Sequence, residues 1–273
     1  MIPPRIVITG ATGGIGRALV REYAEPGVGF LLLGRDPERL DAACRDAKSA
    51  GATARSANLS ATDFGATAEV LQKFDEEGSV DLLLLAAGVK VGNIDAIEPV
   101  DQLDRVLNVN LSATIHNVQA LLPEMRGRGR GQIALFSSAA ALSPHADLLS
   151  YSATKAGIRG YGTALRRALR GTGVTVHLIT PGFVDTPMTD RQVGWTPLKI
   201  SADRAARIIR RGLLRNRPTI SFPVMLFFLI RIENMLPTSL ADWIDRAYRA
   251  KILPDEDELK AAGSENKSGT GPY

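Results

Sequence analysis

Tyr151 and Lys155 stand four residues apart near the start of a stretch, Leu149 to Leu169, in which apolar and small residues recur at Ala156, Ile158, Gly160, Tyr161, Ala164, Leu165, Ala168 and Leu169. That spacing, about 3.6 residues, reads as a largely buried helix. Residues four apart share one helix face, so the phenol and the ammonium can occupy one site. A tyrosine with its ordinary pKa of ~10 is a reluctant acid–base group at neutral pH. A cation within a few ångströms favours the phenolate and brings proton transfer into the useful range. Such a pair also arises by chance on amphipathic helices, so its meaning depends on what the rest of the chain brings to it.

The first strand is expected at Arg5 to Thr9, and it stops at Gly10-Ala11-Thr12-Gly13-Gly14-Ile15-Gly16, with a helix from Arg17 to Ala24. A strand, a glycine-rich turn and a helix N-terminus form a phosphate site, because free backbone N–H groups and the helix dipole both favour anions. A second strand, Phe30 to Leu33, ends in Gly34-Arg35-Asp36-Pro37, with a helix to about Ser49. At that strand end an acidic residue suits NAD, whereas a basic one suits the 2′-phosphate of NADP. Arg35 is the first charged residue there, and its planar fork of donors matches phosphate. Asp36 reads as the N-cap of a helix with Pro37 at its first position.

Further strands are expected at Ala52 to Ala57 (with Asn58 at its end), Val80 to Leu85, Gln132 to Phe136, Val174 to Thr180 and Thr219 to Phe222. Helices are expected up to Phe74, over about Leu103 to Met125, and over Ala202 to Leu214. Continuous apolar strands alternating with helices give an α/β fold, a doubly wound parallel sheet of about seven strands covered on both faces. The fifth strand delivers Ser137 and Ser138 at its carboxyl end, where open α/β sheets bind ligands. Asn108 and Asn110 interrupt the long helix, where asparagine is a poor helix former that can bond a neighbouring loop or kink the helix at a site.

With a net charge of only +4, the chain does not read as a nucleic-acid binder. Arg126-Gly127-Arg128-Gly129-Arg130-Gly131 reads as a solvated turn. The single cysteine, Cys44, excludes an internal disulfide framework and a cysteine-based zinc site. His116, His145 and His177 are scattered and read as structural rather than metal ligands, with His145 the one placed to line a pocket. No metal is expected. No basic segment followed by a long apolar run opens the chain, so no signal peptide is expected, and the expected location is cytoplasmic.

Taken together, Thr9-Gly10, Gly14, Gly16, Asn110, Ser138, Tyr151, Lys155 and Pro181-Gly182 to Thr186 stand in the order of one family. From about residue 4 to 222 the chain resembles the short-chain dehydrogenase/reductases, one-domain NAD(P)-dependent enzymes with a Rossmann-type fold. The resemblance implies that Tyr151 is the acid–base residue and that Ser138 hydrogen-bonds the reacting carbonyl. It further implies that Lys155 binds the nicotinamide ribose and lowers the Tyr151 pKa, while Asn110 holds a water in a proton relay to Lys155. Cofactor contacts are implied at Gly10, Thr12, Gly14, Ile15, Gly16, Arg35, Asn58, Leu59, Ala87, Gly88, Tyr151, Lys155, Pro181, Gly182, Val184 and Thr186. The family is mostly dimeric or tetrameric. This chain departs from the family pattern in having Leu85-Ala86-Ala87-Gly88 where Asn-Asn-Ala-Gly is usual, and Asn58 where Asp is usual.

Beyond the domain expected over 1–222, Phe222 to Ile230 is the most apolar run, flanked by Arg207, Arg210, Arg211, Arg215 and Arg217 before it and by Arg231, Arg246, Arg249 and Lys251 after it. As a helix it reaches about 13 Å, less than half of a ~30 Å hydrocarbon core. The extension 223–253 therefore reads as a pocket lid or oligomer interface, or as a surface (222–251) resting on the inner face of an anionic membrane. Residues 254–273 are expected to form a disordered tail. The function expected is NADPH-dependent reduction of a bulky hydrophobic or lipid-linked ketone, with NADP(H) preferred over NAD(H). The alternatives are a non-catalytic NADP(H) sensor and a keto-sugar reductase or epimerase.

Overall fold

The structure, a computed structural model, describes residues 4–93, 96–247 and 251–253. The tail expected over 254–273 lies outside the described residues. Six strands, β1 (Arg5–Thr9), β2 (Gly29–Gly34), β3 (Thr53–Asn58), β4 (Leu82–Leu85), β5 (Gly131–Phe136) and β6 (Val174–Pro181), join the edge strand Thr219–Phe222 in one sheet. Its order is β3-β2-β1-β4-β5-β6 and then the edge strand, and every pairing is parallel. Helices α1 (Gly14–Tyr23), α2 (Pro37–Ser49), α3 (Phe64–Glu76), α4 (Val100–Val106), α5 (Ala113–Gly127) and α6 (Leu149–Ala168) make the crossovers, together with the helix Ala202–Leu214.

Alternation along the strands sorts the core into two layers. Ile6, Ile8, Leu82 and Leu84 point to the face covered by α1, α2 and the helix Ala202–Leu214, where they meet Leu19, Tyr23, Leu40 and Ile209. Val7, Leu83 and Leu85 point the other way and meet Leu71, Val118, Leu121 and Ile158 of α3, α5 and α6. Both faces of a parallel sheet must be covered, which is why these strands read as unbroken apolar runs. Chain order reverses between β1 and β4, so their carboxyl ends open a crevice at the switch point of the sheet. The glycine turn, Arg35, Ser138, Tyr151, Lys155 and the Pro181–Thr186 segment lie around that crevice.

Three details differ from expectation. The strand expected from Val80 begins at Leu82, because the Val80 N–H donates to Asp75 Oδ1 (2.7 Å) and its carbonyl accepts from Arg128 (2.7 Å) instead of joining the ladder. Arg128 therefore does not belong to a solvated turn: its guanidinium pairs with buried Asp75 at 2.8 Å and ties the α5 end to the β4 entry. The long helix starts at Val100, earlier than Leu103, and it is not uniform. Between α4 and α5 it widens into a π-helical turn over Leu107–Ser112 that contains both asparagines. Such turns often mark functional sites, and here the cause is visible in the contacts of Asn110.

Candidate active site

Helix α6 begins at Leu149 with no side-chain cap of its own. Glu98 caps it from the loop ahead of α4, accepting from the Ser150 N–H (3.2 Å) and hydroxyl (2.9 Å), and the negative charge suits the positive end of the helix dipole. This anchors Tyr151 and Lys155, both buried, against the carboxyl end of β5. Three consecutive residues there meet the helix. The Phe136 carbonyl accepts from Lys155 Nζ (3.0 Å), and the Ser137 hydroxyl donates to the Lys155 carbonyl (2.9 Å). The Ser138 hydroxyl accepts from the Ala140 N–H (3.2 Å) and hydrogen-bonds the Tyr151 phenol. Ser137 is expected at this strand end but not its bond to the helix, and Glu98 has no sequence signal of its own; only the fold brings them to the helix.

The electrostatics correct one expectation. Burial raises the Tyr151 pKa, and the Ser138 hydrogen bond offsets this only in part. Lys155 does not pull the phenol down. Its Nζ lies 5.6 Å from the tyrosine ring centre and is committed to Phe136, and burial pushes the ammonium itself down to about 8. In this geometry desolvation outweighs the Ser138 hydrogen bond, so Tyr151 is held as a neutral phenol, the form that donates a proton.

Asn110, wholly buried, clasps the loop after β4: Oδ1 accepts from the Val89 N–H (2.8 Å), while Nδ2 donates to the Val89 carbonyl (2.9 Å) and to Thr154 Oγ1 (3.3 Å). Reaching that loop is what the π-turn accommodates. Beside it, the point where a Gly88 side chain would start lies 3.2 Å from Asn110 Oδ1 and 3.4 Å from Lys155 Nζ. A side chain there would crowd both groups. Losing Asn110 would strand both Val89 groups at about 1–3 kcal/mol each. Asn110→Leu is accordingly expected to lower the thermal midpoint by several degrees, and a midpoint within one degree of the parent would contradict this clasp.

The Leu85-Ala86 departure is absorbed locally. Leu85 is buried in the α3/α5/α6 layer, and the N–H of Ala87 finds the Thr9 hydroxyl (3.3 Å), so β1 supplies an anchor for the loop.

The glycine turn fits a dinucleotide. Gly13 starts α1 without a side-chain cap, so the first N–H groups of the helix face the crevice unclaimed by a side chain. Gly10 adopts φ +67°, and a Cβ there would stand 2.7 Å from Ala87 Cα, pushing the β4 loop away. A Cβ on Gly14 would collide with the Thr186 side chain. One cavity of about 1230 Å³ runs from this turn past Ser138, Tyr151 and Lys155. Its walls include Gly10, Thr12, Gly14, Ile15, Gly16, Arg35, Leu59, Ala87, Gly88, Pro181, Gly182, Val184 and Thr186. Asn58 is exposed and stands outside these walls, whereas Leu59, Ser60 and Ala61, which follow it, line the cavity. Asn110 also lies behind the wall. Asp36 caps α2 as expected, accepting from the Arg39 N–H (3.0 Å), and its second oxygen holds the Arg39 side chain (3.2 Å) beside Arg35 at the cavity edge.

At the other end the cavity is closed by two C-terminal helices, Val224–Glu233 and Thr238–Ala247. Leu226, Leu229, Ile230 and Leu236 form an apolar wall. Ser143 donates to Glu233 (3.1 Å), Asn234 donates to the Leu142 carbonyl (3.0 Å), and His145 meets Asp245 (3.0 Å), so polar contacts seat both helices on the loop after β5. His145 does line the cavity. His116 stacks on Phe64, and buried His177 is held between Thr175 and the Arg217 carbonyl. Among the described residues no helix is long and apolar enough to cross a membrane, and no cluster of His, Cys, Asp or Glu is arranged to hold a metal.

This geometry agrees with the comparisons. The family model of the short chain dehydrogenases matches residues 4–196. An uncharacterized oxidoreductase of Myxococcus xanthus is 33% identical over 89% of this chain and 96% of its own length. D-beta-hydroxybutyrate dehydrogenase of Rhizobium meliloti is 30% identical over 79% of this chain and 84% of its own. Among solved structures, a metagenomic short-chain oxidoreductase in complex with NADP is 30% identical and superposes with a TM-score of 0.67, covering 79% of this chain and 92% of that one. The chain belongs to the short-chain dehydrogenase/reductase family and is an NAD(P)-dependent oxidoreductase.

Proposed function

We propose that the chain is an NADPH-dependent carbonyl reductase acting on a bulky, largely apolar ketone. The observation that carries this reading is the continuity of one cavity, which joins Arg35 at one end to Ser138 and Tyr151 in the middle and to the apolar wall of Leu226, Leu229 and Ile230 at the other. The glycine turn and the amides of Gly14 and Ile15 would hold the diphosphate, and Lys155 the nicotinamide ribose. When bound, the reduced nicotinamide supplies a hydride to the carbonyl carbon. The Ser138 hydroxyl orients the carbonyl oxygen and stabilises the charge that develops on it. Tyr151, held neutral, hands that oxygen its phenolic proton. Lys155 then faces a phenolate, and a water held between Lys155 and Asn110 would return the proton. A sensor without turnover is the weaker reading, because no member of the catalytic set is missing.

On the outer side of the same helices Val224, Met225, Phe228 and Met235 are largely exposed, with Arg231 nearby. This face supports contact with another copy of the chain or with an anionic lipid surface, in keeping with a greasy substrate.

The test follows NADPH and NADH oxidation in parallel across long-chain 3-ketoacyl, keto-sphingoid, steroid and small ketones. Turnover of the long-chain ketones with NADPH supports the reading; turnover confined to small ketones refutes the substrate class. In Arg35→Gln the KM for NADPH should rise by about 10- to 100-fold, the loss of a charge-assisted contact, with little change for NADH. A parent enzyme that prefers NADH would remove the role given to Arg35.

A further inference from the structure

One buried charged group of the cavity wall has no part in the proton transfer just described. Lys90, two residues beyond Gly88, is 6% exposed and lines the cavity. Its Nζ donates to Gln192 Oε1 at 2.8 Å. An ammonium carries three donors, and among the described residues no other group, and no carboxylate, engages this one. The bond fixes the Gln192 amide with its oxygen toward the lysine, so Nε2 and its two N–H groups turn away, also without a partner among the described residues.

The corner is built from three separate segments. The Arg191 guanidinium donates to the Lys90 carbonyl (2.8 Å) and to the Leu253 carbonyl (3.1 Å). Lys251–Ile252 pairs antiparallel with Gln192–Val193, and the side chain of Ile252 packs over Gly92. Burying a cation with no carboxylate bonded to it is costly, and a hydrophobic residue would fill such a wall at lower cost. Burial, followed by the charge of Arg191, lowers the Lys90 pKa to about 8, so the group is still a cation at neutral pH.

We infer that Lys90 and Gln192 form an anion subsite of the substrate cavity, and that the substrate is an oxo acid whose carboxylate sits on Lys90 Nζ and Gln192 Nε2 while its carbonyl faces Ser138 and its apolar part lies against the C-terminal helices. An ammonium and an amide side by side offer two donor directions and one positive charge, which matches the two oxygens and single charge of a carboxylate. This deepens the reductase reading and rests on it for the word "substrate", but the subsite itself is a binding claim.

It is tested without turnover. Binding of decanoate, decanamide and decyl phosphate to the NADP-loaded chain is measured by calorimetry for the parent, Lys90→Met and Gln192→Glu. The parent should bind decanoate at least tenfold tighter than decanamide. Lys90→Met should lose that tenfold, with decanamide shifted less than threefold. Gln192→Glu, which places a repelling carboxylate at the subsite, should weaken decanoate likewise and keeps the test open if Lys90→Met does not fold. Equal parent affinities for acid and amide, or equal losses for both ligands in the variants, would overturn the subsite. Decyl phosphate binding more than tenfold tighter than decanoate would overturn the choice of a carboxylate. If no ketone is reduced yet decanoate binding depends on Lys90, only the reductase reading fails; if ketones turn over with no preference for acids over their esters, only the subsite fails.

Discussion

Replacing Tyr151 with phenylalanine is expected to lower kcat for ketone reduction by on the order of 10³-fold, within the range for loss of a positioned general acid, while NADPH affinity changes by less than about threefold. The split follows from the geometry. The phenol meets Ser138 in the middle of the cavity, whereas the glycine turn and Arg35 lie at its far end. Removing one oxygen also frees little space, because the ring stays packed with Ala140 and Leu148. The pH profile gives a second reading of the same site. Reduction needs Tyr151 protonated and Lys155 charged. Burial raises the first pKa and lowers the second to about 8, so on raising the pH the Lys155 charge is lost first. The reductive kcat/KM should therefore hold up to about pH 7 and fall through pH 8, a limb set by the lysine. A rate still climbing at pH 9 would remove Lys155 from the role assigned to it, and a Tyr151→Phe enzyme retaining a tenth of parental kcat would do the same for Tyr151.

The parts of this site that were legible in the sequence are those that act through backbone or spacing. Gly10, Gly14 and Gly16 sit where a Cβ cannot, and Tyr151 and Lys155 share a face because a helix has a fixed pitch. The sheet was legible for the same reason: strands buried on both faces are apolar throughout, as Leu82 to Leu85 are. What stayed hidden depends on long-range meetings. Glu98 caps α6 from 52 residues away, and Lys90 meets Gln192 across 102. No local pattern announces either contact. The sign of the Tyr151 shift was hidden as well, because spacing places a cation nearby but says nothing of how deeply the phenol is buried. Asn110 was half legible. Its unsuitability for a helix marked the spot, while the π-turn and the Val89 clasp needed the neighbouring loop to be in place.

Gly16→Ala should cost the chain both stability and cofactor binding. The added methyl would overlap the carbonyl oxygen of Gly10 and stand 2.9 Å from its carbonyl carbon, so backbone must move, with no flexible side chain to give way. Two responses are open, and each has a readout. If α1 slides outward, Ala18 and Leu19 leave the core layer they share with Ile6 and Ile8, an overpacking cost of about 1–3 kcal/mol that melting would show. If instead the turn yields, Gly10 moves toward Ala87, already within 2.8 Å of the point where its own side chain would start, and the amides that would face the diphosphate lose their direction. Either way NADPH affinity should fall at least 100-fold, while Tyr151, Ser138 and Lys155 keep their places on α6 and β5. Gly160→Ala is the control on the catalytic helix, since nothing lies within 4 Å of its would-be Cβ, and it should leave both melting and affinity near the parent values. Should Gly16→Ala bind NADPH as the parent does, this turn would not be the phosphate cradle, and the cofactor would have to enter the cavity by another wall.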